Sequence, residues 1–231
     1  MRTLKITALG LAIAMLAMTG IALASAQFKQ TAKVTLTATK PNQSSGVKAV
    51  ILSEDPGAPF AQPQGLKVLK LTFPVKTKFN FHSKALAQCK ASEPEIKATK
   101  GAACPVKSKL GTGSANANGA PVLPAIPEAV AAFAGNNEVI LYLEHKALGG
   151  VDLILHAKVS SNKLTVEVPE LKQGPVNIVL TELKLTIKAI GKGTNTFIKA
   201  GKCIKKRFVV TSSFLYQTGA NSTLTSSSRC S

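Results

Sequence analysis

The sequence predicts an all-β fold: an antiparallel β-sandwich, immunoglobulin-like or larger, with two disulfides and little helix. Three observations predict it. Segments rich in Val, Ile, Leu and Thr recur from residue 33 to residue 216, clusters of Gly, Pro, Asn and Ser separate them, and apolar spacing of helical period is nearly missing. Many short strands with turn chemistry between them form sandwiches or barrels, because each half-apolar sheet face needs another to cover it.

In chain order, residues 33–38, 49–53, 68–73, 78–82 and 109–115 read as strands, followed by 138–146, 152–159, 163–168, 176–190 and 205–216. The cleanest alternation runs through 182–188. Leu183, Leu185 and Ile187 share one face there, and Glu182, Lys184, Thr186 and Lys188 share the other, so one face is core and one is wet. Residues 138–146 and 152–159 form a hairpin around Leu148-Gly149-Gly150. Matching their apolar faces pairs Leu143 with Leu155, Leu141 with Ala157 and Val139 with Val159, and sets Lys146 opposite Asp152.

The segment PEAVAAFA, 127–134, admits two readings. Pro127 in the first turn, Glu128 near the positive end and Gly135 past the stop suit a short helix, whereas Ala-Val-Ala-Ala-Phe suits a strand. Residues 115–121 and 221–228 read as linker-like, and no solenoid or propeller repeat occurs. The expected organisation is a signal segment, 1–26, followed by one β-sandwich domain over 27–231, or two packed β subdomains.

That leading segment, MRTLKITALGLAIAMLAMTGIALASA, has the three parts of an export signal. Arg2 and Lys5 supply a basic start, Leu9 to Leu23 an apolar run, and Ala24-Ser25-Ala26 the small-x-small end a signal peptidase accepts. The expected destination is secreted, either extracellular or loosely associated with the cell envelope. No later apolar stretch is long enough to span a bilayer, and no lipobox cysteine stands at the cleavage point.

Beyond residue 26 the chain carries 27 basic against 11 acidic side chains, a net charge of +16. Only Arg207 and Arg229 among these cations are arginines, so the charge sits on compact lysine ammoniums and not on planar forks that read phosphate or guanine bidentately. Sequence-specific nucleic-acid binding is therefore not expected. Anionic cell-wall polymers are the expected partner class, with another extracellular protein as the alternative; lysine as protection for sheet surfaces is the plainer explanation of the excess. Trp is absent and Tyr occurs only at 142 and 216, which disfavours a carbohydrate platform of flat rings.

The four cysteines, Cys89, Cys104, Cys203 and Cys230, form an even set in an exported chain and imply two disulfides. Three pairings are possible; proximity favours Cys89 with Cys104 and Cys203 with Cys230. Lacking any C-x-x-C pair, the set does not suggest zinc. The run Cys104-Pro105-Val106-Lys107-Ser108-Lys109-Leu110-Gly111-Thr112-Gly113-Ser114-Ala115, preceded by Cys89, resembles a "C…CP…S-x-[IVL]-G-x-G-x-A" stretch in uncharacterised exported proteins of high-GC Gram-positive bacteria. The later Cys203, the Tyr216 segment and Cys230 resemble the end of that family. The resemblance implies a β-sandwich with two disulfides and no catalytic or ligand residues; Ala134-Gly135 departs from it, since those proteins carry Asn before that glycine. Gly111-x-Gly113 opens no helix and so reads as a close approach of neighbouring backbone, not as a phosphate cradle.

No motif points to catalysis. There is no G-x-S-x-G and no H-E-x-x-H. On the hairpin register His156 and His145 face opposite ways, which separates them as metal ligands, and His82 stands apart in sequence. The carboxylate pairs worth naming are Glu144 with Asp152 and Glu93 with Glu95, the latter in a lysine-rich loop where solvated salt bridges are expected. The expectation is a non-enzymatic exported protein, with no cofactor and no metal, that meets the anionic envelope through lysine-rich surfaces. Its rivals are an immunoglobulin-like adhesion module acting through loops 90–103 and 116–124, and a hydrolase with a concave site holding two carboxylates or a His–carboxylate pair.

Overall fold

A computed structural model describes residues 28–145, 152–173 and 176–231. The predicted signal segment and the turn at 148–150 lie outside them. The described chain is antiparallel β throughout, apart from one short α-helix and single turns of 3-10 helix. In chain order the strands are β1 (Lys29–Leu36), β2 (Val47–Glu54), β3 (Leu66–Thr72), β4 (Lys78–Phe79), β5 (Lys109–Gly119), β6 (Leu123–Ala134) and β7 (Glu138–His145). They continue with β8 (Leu153–Ser160), β9 (Lys163–Glu167), β10 (Leu171–Gln173), β11 (Val176–Ile187), β12 (Ile198–Lys199), β13 (Arg207–Tyr216) and β14 (Asn221–Arg229).

Twelve strands join in one sheet, ordered β1-β2-β11-β5-β6-β7-β8-β9-β3-β13-β14 with β10 on β11, while β4 and β12 pair separately. A hairpin, β1-β2, and a meander, β5 to β9, are linked by the long β11; β3 then joins the meander to the closing hairpin β13-β14. The sheet curls nearly into a barrel around one apolar core, so the facing layers of the sandwich are parts of a single sheet. Its first and last strands meet without a backbone ladder. Ser226 of β14 bridges them instead: its Oγ accepts from the Val34 amide at 3.0 Å and donates to the Val34 carbonyl at 2.7 Å. Beside it the Tyr216 hydroxyl donates to Gln30 Oε1 at 3.1 Å.

Alternation explains most strands. On β11, Leu183 and Ile187 are buried while Lys184 and Thr186 are exposed, as period 2 requires of a half-wet sheet. The run Val139–Leu143 does not alternate because β7 is covered on both faces. Val139, Leu141 and Leu143 enter the main core, and Ile140 and Tyr142 enter a second cluster with Ile96, Phe133, Ile154 and the Cys89–Cys104 disulfide. That second cluster is roofed by the loop the disulfide closes, which carries the helix α1 (Glu93–Ala98). The helix starts where Ser92 and Glu95 form a capping box, and Ile96, 1% exposed, plugs it into the sheet.

The second bridge, Cys203–Cys230, ties β14 to the segment before β13. Both are the nearest-neighbour pairings. Gly111 and Gly113 lie where β5 passes β11 closely: a β-carbon at Gly113 would stand 1.9 Å from the Lys184 carbonyl oxygen, and one at Gly111 2.0 Å from that of Thr186. Backbone approach accounts for both glycines.

Several expectations are corrected. The segment 127–134 is strand, lying within β6. Residues 115–121 and 221–228 are not linkers: β5 runs on to Gly119, and 221–228 fall inside β14. The β7–β8 register is two residues from the expected one, with Leu143 opposite Leu153, Leu141 opposite Leu155 and Val139 opposite Ala157. An even shift leaves the described residues on their predicted faces; Lys146, expected opposite Asp152, lies outside the described residues.

Candidate functional site

Topology gives the barrel two chemically opposite ends. At the first end four separate segments converge: 37–46, 73–88, 188–207 and 227–231. Backbone bonds stitch them together. The Asn42 amide donates to the Ala200 carbonyl at 2.9 Å, Lys202 to Val75 at 2.7 Å, Cys230 to Lys206 at 3.0 Å and Ser231 to Thr39 at 2.8 Å, and β12 pairs with β4 among them. These four segments hold twelve Lys and Arg and not one Asp or Glu; all of the twelve but Lys199 are exposed, and Lys199 is half-buried.

Local geometry at this end is unfavourable in ways that sequence alone conceals. Ile204 and Arg207 exchange both backbone bonds at 3.0 Å, making a two-residue hairpin whose tip is Lys205-Lys206. Their φ angles are 50° and 59°, in the left-handed region that favours Asn-Gly at such a tip. Lys76 has φ 69° in the Pro74–Thr77 turn, again a position suited to Gly or Asn. Arg207 and Arg229 are direct cross-strand partners, an arrangement in which like charges repel.

Carboxylates gather toward the opposite end. Glu54, Asp55, Glu144, Asp152, Glu167 and Glu170 sit in or beside the strand ends there, and Glu128 lies within β6 opposite the end of β7, making seven of the eleven in the chain. The expected pair Glu144 and Asp152 is found on the outer side, but each is engaged: Lys100 Nζ meets Glu144 Oε1 at 2.9 Å, and Asp152 accepts from the Tyr142 hydroxyl at 2.6 Å and the His145 amide at 3.0 Å. Burial first, then the Asp152 carboxylate, push the Tyr142 phenol up, so it stays protonated and donates.

Glu128 is the residue that sequence reasoning missed. It continues the inward row of Val130, Ala132 and Ala134 on β6, is only 7% exposed, and its Oε2 has no hydrogen-bond partner among the described residues. Burial, and then the charge of Asp152, push its carboxyl up to about 7. The available signal was a lone Glu in an Ala/Val-rich strand, visible only once 127–134 is taken as strand.

His156 and Glu93 come together on the outer face of the sheet. The ring lies between two carboxylates, Nε2 at 3.0 Å from Glu93 Oε1 and Nδ1 at 3.2 Å from Glu138 Oε1. Burial lowers its pKa, but the bonds to Glu93 and Glu138 outweigh that, leaving it raised above 6.5. Both nitrogens are held as donors, which favours a fixed imidazolium over a general base. His145 belongs to the inward row, in register with Glu128. Glu95 accepts from the Ser92 amide at 2.7 Å and is a helix cap. Among the described residues no cluster of three or more His, Cys, Asp or Glu side chains is disposed to hold a metal ion.

The segments 90–103 and 116–124 are not two loops at one end. Residues 90–103 lie along the outer face of β6 to β8, closed by Cys89–Cys104, and 116–119 are paired strand. No described helix is long and apolar enough to cross a membrane. Compared with known protein families, curated proteins and solved structures, the chain matches none.

Proposed function

We propose that this is an exported, non-enzymatic β-sheet protein that binds an anionic polymer of the cell envelope through the basic end of its barrel. The observation that carries this reading is the convergence, at one end of the barrel, of four segments that hold twelve cations and no Asp or Glu side chain. A random scatter of lysine over a sheet would serve protection against aggregation equally well. Twelve of the 27 basic side chains beyond residue 26 meeting at one end create instead a focused positive potential that concentrates polyanions and fades with salt. The strained tip lysines and the facing arginines are local costs that a bound polyanion offsets.

The test is release from producing cells. Stepwise salt washes should free the protein progressively, and a variant with Lys202, Lys205, Lys206 and Arg207 changed to Gln should come off at distinctly lower salt. Retention through strong salt followed by release in detergent would overturn the electrostatic reading, as would full recovery in the medium at every salt concentration.

A further inference from the structure

The acidic end contains a cavity at the far end of the barrel from the basic segments. Its volume is about 120 Å³, and Leu66, Leu155, Val168, Ile178, Leu180 and Glu128 are among its walls. Four of these, Leu66, Leu155, Val168 and Leu180, also wall an internal cavity of about 60 Å³ deeper in the barrel, whose lining is wholly apolar. The two spaces are separated by these shared side chains. An apolar cavity of about 150 Å³ is sufficient for one benzene ring.

Glu128 is the exception in this lining. An aliphatic side chain would continue the inward row of β6 and fill space in the core; a carboxyl placed there loses hydration, and its Oε2 finds no hydrogen-bond partner among the described residues. Among the described residues, the titratable groups near it are Asp152, whose charge raises its proton affinity, His145, which stands opposite on β7, and Glu170, which lines the same cavity. A cation is therefore the complement of this carboxyl, and the walls around it select an apolar body.

We propose that this cavity binds a small apolar amine, one ring or a short branched chain in size, with its ammonium paired to Glu128 and its apolar part directed past Leu66 and Leu180 toward the interior. The chemistry is recognition only: no bond is made or broken. It stands independently of the basic end.

Calorimetric titration of the purified protein with benzylamine and, separately, with toluene tests the assignment. Wild type should bind benzylamine saturably and prefer it to toluene by about tenfold or more, the worth of one charge-assisted hydrogen bond. Glu128→Gln should erase that preference while leaving toluene binding unchanged. Val168→Phe, at a side chain that walls both cavities, should weaken both ligands while the carboxylate remains. Absence of saturable benzylamine binding to wild type, equal binding of toluene, or a preference that survives Glu128→Gln would each overturn the proposal. Because Glu128→Gln removes an uncompensated buried acid, the variant is expected to fold, and its unfolding midpoint checks this directly.

Discussion

Lys205 and Lys206 show how a single turn can trade stability for contact. Each carries a β-carbon in the left-handed region, which costs about 1–2 kcal/mol per residue. Lys205→Asn with Lys206→Gly supplies the residues this turn favours. The double variant should therefore be more stable by about 1 kcal/mol or more in chemical denaturation, yet elute from a polyanion column at lower salt than wild type. Unchanged elution would remove the tip from the contact surface. The lysine excess was legible in composition, but the meeting of twelve cations at one end was not, because segments as far apart as 37–46 and 227–231 meet only through the sheet order. Glu128 was illegible for a related reason: read as the first turn of a helix it is an ordinary exposed acid, and only strand periodicity turns it inward.

At the level of elements, legibility followed the strength of the apolar pattern. The alternation in β11 gave its faces directly, and Val139–Leu143 was recognisable as strand although its double burial depends on the roof over it. The strand β14 was missed because Ser222, Ser226 and Ser228 occupy its inward positions, with Leu224 the only aliphatic there. Hydroxyls that close a seam look, in sequence, like a polar tail. The helix α1 was missed although Ser92-x-x-Glu95 is its start signal, since six residues are too few for periodicity to register. That helix is latched to the sheet by His156, and the latch has a definite pH sense. A histidine whose folded pKa is raised stabilises fully below its unfolded value, near 6.5, and loses that contribution as pH rises through the folded value. Hydrogen-exchange protection of the α1 amides, corrected for intrinsic rates, should decline as pH rises above 6.5, and His156→Gln should flatten the decline. Protection that rises with pH would contradict the latch.

For the molecule as a whole, the sheet is a barrel with a side-chain seam. Ser226→Ala would leave the Val34 amide and carbonyl without their partner, costing about 1–3 kcal/mol, and would loosen the contact between β1 and β14. The variant should melt earlier and associate with itself at rising concentration, measured by light scattering, because two freed sheet edges seek other strands. An unchanged melting temperature would mean that the seam is held elsewhere. The seam also sets an order of events in time. Its partners lie 192 residues apart, one near the start of the described chain and one near its end. Synthesis delivers β1 first and β14 last, so the earliest strand waits with one edge open while everything between is made, and the hydroxyl that finishes the barrel arrives only a few residues before the cysteine that fastens it.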